Sequence, residues 1–346
     1  MKRIAIGPCH PGKGGTDTSD PRLQIDHAMT ARRGVDGCLS VVRRVAGVVR
    51  GGAFMAFFGL TLLAAPVRVV VWDEQQPQQL TAYPHFLGEE IATHLRTNAD
   101  FQVTTRRLAD PQQGLDADTL DHCDVLIWWG HVRNGEVFPE TGRSIARRIQ
   151  SGTLSLVALH SAHWSAPFME AMNIRAREDA LRALTPEERS RAVLIETNDY
   201  PSLRVPPRLT DRLTPWAHYR RPTTGPVEVH LHLPNCCFPA YRPDGQPGHL
   251  HVRLPRHPIA AGLPTTFDVP QTEMYDEPFH VPPPDEVVLE ETWDRGEWFR
   301  SGMVWKVGQG RVFYFRPGHE IYAVYQQPEV VRVIENTVRW LGQKQP

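Results

Sequence analysis

The chain is poor in cysteine, balanced in charge and short of long apolar runs, and each shortage removes a class of protein. Its five cysteines (Cys9, Cys38, Cys123, Cys236 and Cys237) are too few and too irregular for a disulfide framework, and no C-x-x-C pair occurs. Adjacent Cys236 and Cys237 read as small apolar residues of a strand in preference to a metal or redox pair. A formal net charge of −1 leaves no electrostatic footprint for nucleic acid, and no nucleic-acid-binding motif is present. No G-x-G-x-x-G follows the first strand, which argues against a nucleotide cofactor. The absence of G-x-S-x-G argues against an α/β-hydrolase.

The one extended apolar run, residues 53–66, is too short for a stable membrane span. It follows Arg43, Arg44 and Arg50 and ends in Leu63-Ala64-Ala65, as a secretory signal does. Residues 1–65 are therefore read as a leader, with a mis-assigned start as the competing explanation. Export to the periplasm is preferred on this reading to a cytoplasmic location.

What is present describes a globular chain of 346 residues, 41% hydrophobic and 22% charged, with a raised proline count of 31. Val67 to Trp72 is a β-branched apolar run of the kind buried on both faces of a sheet, and Asp73 and Glu74 end it. Phe86, Leu87, Ile91 and Leu95 recur at helical spacing, predicting a helix over about 84–97. Strands follow over 101–108, 125–129 and 154–159, with a helix over about 140–151 stopped by Gly152 and a short helix from Ser165. This alternation predicts parallel βαβ units. Between about 177 and 250 the rhythm is lost, and the stretch reads as an insertion holding a charged helix (186–191) and an alternating strand (227–233). The rhythm returns at 287–291, 303–307 and 312–315, and a helix over 328–341 closes the chain.

Ligands of open parallel sheets bind beyond the carboxyl ends of the strands. Those ends carry Trp129-Gly130-His131, His160-Ser161-Ala162-His163 and His319-Glu320, with Tyr322 following. An acidic and aromatic stretch, Glu273 to Phe279, lies between them. Three strand ends bearing histidine form a set suited to Zn²⁺ or a similar divalent ion, with His131, His160 and His319 as the ligands. The same set could equally act without metal, as hydrogen-bond donors and acid–base groups. Trp129 and Tyr275 suit a sugar pocket, whereas Trp128 reads as core. Ser161 is a possible nucleophile, though no glycine frames it. His249 and His251 near Cys236-Cys237 read as structural.

The segments VRVVVWDEQ (67–75), CDVLIWWGH (123–131), LVALHSAHWS (156–165), QTEMYDEPF (271–279) and FRSGMVWKVGQGRVFYFRPGHEIY (299–322) resemble, in the same order, the trehalose-utilisation, or ThuA-like, family. The resemblance runs from about 67 to 342 apart from the insertion. It implies a three-layer α/β sandwich with a mainly parallel sheet, flavodoxin-like and akin to class I glutamine amidotransferases, within a domain over 66–343. It also implies a role in disaccharide catabolism, with a partner sugar dehydrogenase supplying keto forms. By motif it carries over His131, His160, His163, Glu273, Tyr275, Glu277, His319 and Glu320. No cysteine stands at the turn where amidotransferases keep their nucleophile, so glutaminase chemistry is not expected.

The combined expectation is an enzyme acting on a keto-sugar. Glu277 moves the proton, and His131, His160 and His319 polarise the oxygen directly or through a metal. Asp73, Glu74, Trp129, Ser161, His163, Glu273, Tyr275, Glu320 and Tyr322 line the sugar. A non-catalytic sugar-binding protein and a metal-dependent hydrolase are the rivals, and association into homo-oligomers is left open.

Overall fold

A computed structural model of the chain describes residues 65–197, 214–233 and 238–343. The signal run and Cys236-Cys237 lie outside the described residues.

The elements alternate as the periodicity predicts. The first half runs β1 (Val67–Asp73), α1 (Leu87–Arg96), β2 (Phe101–Arg107), α2 (Ala117–Asp121), β3 (Val125–Trp129), α3 (Pro139–Gln150) and β4 (Ser155–Leu159). There follow α4 (Ala166–Arg182), α5 (Pro186–Arg191), β5 (Val193–Thr197), β6 (Trp216–Arg220), β7 (Glu228–His232), β8 (Ala240–Arg242) and β9 (Gly248–Val252). The chain ends with β10 (Thr266–Val269), β11 (Met274–Asp276), β12 (Glu286–Thr292), β13 (Trp298–Val307), β14 (Gly310–Phe315) and α6 (Pro328–Leu341).

One sheet runs in the order β10-β9-β12-β13-β14-β4-β3-β1-β2. Its core, from β2 through β1, β3 and β4 to β14, is parallel. The remaining strands continue it as an antiparallel wing from β14 outward. Residues alternate faces along each core strand. Val69, Val71 and Ile127 pack with Ile91 of α1 and Ile334 of α6, while Val70, Leu126 and Trp128 pack with Ile145 of α3 and Phe168 of α4. Helices therefore cover both faces, and each fully buried aliphatic side chain contributes roughly 1.5–3 kcal/mol. Among the described residues no helix is long and apolar enough to cross a membrane.

Two expectations need correction. The helix expected to be short runs for 17 residues, to Arg182. Its second half conceals a buried stripe behind charge: Arg175 is buried because its guanidinium pairs with Asp179 and Asp285. The large sheet also takes β9 from within the irregular stretch. Elsewhere in that stretch β5, β7 and β6 form a small sheet, and Val229 and Leu231 of β7 pack with Ala176 and Ala180 of α4.

Candidate functional site

Because β1, β3, β4 and β14 run parallel, their carboxyl ends share one rim. The chain leaves β4 at His160, a bulky residue with φ of +50°. That conformation is strained for a non-glycine side chain and survives only where the surroundings hold it. They do so here. The His160 ring lies against Trp129 (centroids 5.7 Å) and Tyr275 (5.2 Å), both nearly parallel to it. Tyr314 Oη donates to the His160 carbonyl at 2.8 Å, and His160 Nδ1 sits 3.1 Å from the carbonyl of Arg316. Gly318 permits the fit, since a Cβ there would lie 2.6 Å from the His160 Cβ.

His131 and His319 complete the cluster. Ring centroids are 5.3 Å apart for His131–His160, 5.2 Å for His131–His319 and 6.0 Å for His160–His319. His131 Nδ1 makes a short hydrogen bond to Glu320. His319 Nδ1 accepts from the Ile321 amide at 3.3 Å; Glu320 Oε2 lies equally near it but without the alignment of a hydrogen bond, so the ring proton is assigned to Nε2. Glu273 brings Oε2 to 3.1 Å from His160 Nε2, without the alignment of a hydrogen bond, so that fully buried nitrogen is left unpaired.

Burial and neighbouring charge act together on the titrating groups. Burial drives His160 well below the ordinary imidazole value, helped by His131 and His319, and it lowers His319 as well. Burial opposes a charged His131, but the bond and charge of Glu320, together with the charges of Glu273 and Glu74, outweigh it and the net shift is upward. For Glu320 burial favours the neutral acid, yet the bond and charge of His131 and the charge of His319 hold it down at about 2. Burial raises the Glu273 carboxyl.

The remaining residues expected at the site divide into two groups. Ser161 Oγ lies 2.9 Å from Tyr275 Oη beneath the histidines, and Tyr322 packs on His319 with centroids 4.9 Å apart. His163 is buried against Phe238, Tyr275 and Phe279. Trp129 is wholly buried and backs His160 instead of facing solvent. Asp73, Glu74 and Glu277 are not brought into the cluster. Asp73 accepts from the amides of Gln75 and Gly88 and from Gln79 Nε2, which fixes the first turn of α1. Glu74 accepts from the amides of Val132 and Arg133, so it positions the loop carrying His131. Glu277, expected to move the proton, is gripped by Arg300 and accepts from the Phe279 and Arg300 amides.

Sequence reading missed Arg316 and Asn134. Arg316 is fully buried, pairs with buried Glu291, and donates to Thr272 Oγ1 and the Glu273 carbonyl. A cation standing between an apolar strand and Pro-Gly was its visible signal. Asn134 binds the Gly130 and Ser161 carbonyls and accepts from Trp128 Nε1, tying two strand ends together. Cys123, the cysteine among the described residues, is buried at the opposite end of β3.

Helices on both faces of a parallel core, with imidazoles and carboxylates gathered at its carboxyl rim, define an α/β protein whose candidate site is that rim. The family model for ThuA, trehalose utilisation, matches residues 68–341, and the chain belongs to that family. No curated protein matches the chain. Among solved structures, a ThuA-like protein of Parabacteroides merdae is similar at 15% identity, with a TM-score of 0.49, over 81% of this chain and 93% of its own. A ThuA-like protein of Bacteroides uniformis is similar at 14% identity, with a TM-score of 0.48, over 82% and 95%. A cytoplasmic protein of Salmonella typhimurium is similar at 13% identity, with a TM-score of 0.40, over 80% and 99%.

Proposed function

We propose that the chain is an enzyme of carbohydrate catabolism that moves a proton on a keto-sugar or a keto form of a trehalose-like disaccharide. Family membership supports the carbohydrate class. The observation that carries the chemistry is the meeting of His131, His160, His319, Glu273 and Glu320 on one rim.

Glu273 takes the base role first assigned to Glu277. A carboxyl group whose burial raises its proton affinity is suited to abstract the proton beside a ketone. As that C–H bond breaks, its electron pair forms a carbon–carbon double bond and the carbonyl π pair moves onto oxygen, where the His319 Nε2–H donates to the growing charge. Return of the proton to the neighbouring carbon gives isomerisation, whereas departure of a β-glycosidic oxygen gives elimination. A sugar dehydrogenase that makes the ketone would be the metabolic partner. The layering of a class I glutamine amidotransferase-like sandwich belongs to the same proposal.

The test is incubation of the protein with trehalose and with 3-keto-trehalose, followed by product analysis. Loss of the keto-sugar, abolished in Glu273→Gln and sharply reduced in His319→Asn, is the expected result. Saturable sugar binding without product would replace the enzyme with a sugar-binding protein. Full turnover in Glu273→Gln would remove the assigned base.

A further inference from the structure

The rim holds two overlapping sets of three possible metal ligands that share His131: His131, His160 and Glu273, and His131, His319 and Glu320. In each set one donor atom of every residue lies within 4.8 Å of the other two. Distance alone does not choose between them, but the hydrogen bonds around them do.

A metal-bound imidazole uses one nitrogen for the ion and gives the other, as N–H, to a carboxylate or carbonyl that fixes its tautomer. His160 meets this description. Its Nδ1 is 3.1 Å from the Arg316 carbonyl, and its Nε2 is buried, unpaired and turned toward Glu273. His131 meets it too, because Glu320 takes Nδ1 and leaves Nε2. His319 does not, since Nδ1 accepts from the Ile321 amide and Nε2 therefore carries the proton. Glu320 is committed to His131. Glu273 is held from behind by Arg316, which donates to its backbone carbonyl.

We infer that His131, His160 and Glu273 form a binding site for one divalent transition-metal ion, with Glu320 and the Arg316 carbonyl orienting the two imidazoles. Two imidazoles and one carboxylate on one side of an ion leave its other positions free, as catalytic sites do. His319 stands beside the ion as a hydrogen-bond donor. This replaces His319, the third ligand expected from sequence, with Glu273. The assignment explains the buried His160 Nε2, which has no hydrogen-bond partner of its own. It concerns the same rim as the function proposed above but does not require a sugar: Glu273 gives the ion one carboxylate oxygen and keeps the other for the proton.

The experiment uses the full chain, stripped with a chelator and dialysed, then titrated with Zn²⁺ by calorimetry and with Co²⁺ by visible absorption. One equivalent should bind. Glu273→Gln and His131→Gln should lose it, by more than the ~10–100-fold expected when Glu320→Gln removes an orienting partner. His319→Asn should stay within about threefold of the parent, as befits a residue outside the ligand set. Thermal unfolding of each variant separates lost ligands from lost fold, and His131→Gln serves if Glu273→Gln does not fold. Absence of stoichiometric binding by the parent overturns the assignment. So does parental affinity in both ligand variants, or loss in His319→Asn as large as theirs. Metal binding without turnover of 3-keto-trehalose would leave this site standing and remove the proposed reaction. Turnover by metal-free protein, with no binding, would do the reverse.

Discussion

Gly318 passes so close to His160 that a single added methyl would overlap it, since the two Cβ atoms would lie 2.6 Å apart and the new one would sit 2.8 Å from Tyr325 Oη. The φ angle is not the constraint at this glycine; space is. Gly318→Ala should therefore cost about 1–3 kcal/mol of stability, in the range of an overpacked core. It should also displace His160 and weaken whatever the rim binds. Urea unfolding together with ligand titration checks both effects, and a variant with parental values in each would show that the approach is looser than described.

Arg316 and Glu291 are both fully buried and face each other through Nε and Nη2. Removing one member strands the other's charge. Arg316→Met should cost about 3–5 kcal/mol, whereas Arg316→Met with Glu291→Met should recover a large part of that loss. Denaturant midpoints of the two singles and the double give the coupling. A single-site cost below about 1 kcal/mol would contradict the pairing.

Asp285 offers a pH test far from the rim. Burial alone would raise its carboxyl, but the hydrogen bonds from Arg175 and the Lys306 amide, with the charge of Arg175, bring it below 3.8. A depressed carboxyl contributes stability that is full above its unfolded value and lost as pH falls through its folded one. The stability gap between the parent and Asp285→Asn should therefore be widest near neutrality and close as pH drops below about 4. A gap that widens in acid would reverse the sign assigned here.

Cys123 is a buried thiol whose desolvation pushes its pKa up to about 12. Thiolate is the reactive form, so alkylation at about pH 8 should leave the peptide carrying Cys123 unmodified until denaturant is added. Peptide mapping by mass spectrometry reads this site separately from the other cysteines. Rapid native labelling of Cys123 would mean that the start of β3 opens readily.

Much of this architecture is written in the periodicity. Val67–Trp72, Val125–Trp129 and Leu156–Leu159 are continuous apolar runs because helices cover both sides of the sheet, and such runs place their own carboxyl ends. The three histidine motifs could thus be set on one rim before any coordinates. The choice between Glu273 and Glu277 could not. Strand alternation puts 273, 275 and 277 on one face, so both carboxylates are candidates by pattern. Arg300, from β13, decides between them by capturing Glu277. Arg300 lies 23 residues away in sequence, and no local rule names it. The engagement of Asp73 is illegible for a similar reason: its partner Gly88 belongs to the next helix, and an amide donor leaves no mark in side-chain chemistry.

The position of β14 has a consequence for synthesis. The last strand to be made lies between β13 and β4, with two neighbours already spoken for by the rest of the sheet. Until residue 315 has left the ribosome, β4 presents an unpaired edge, and the turn carrying His160 lacks the Arg316 carbonyl and the Tyr314 hydroxyl that hold it. A nascent chain in that state carries a sticky strand and no finished site. Stop codons or frameshifts that fall before residue 316 should therefore yield aggregates instead of a partly active protein.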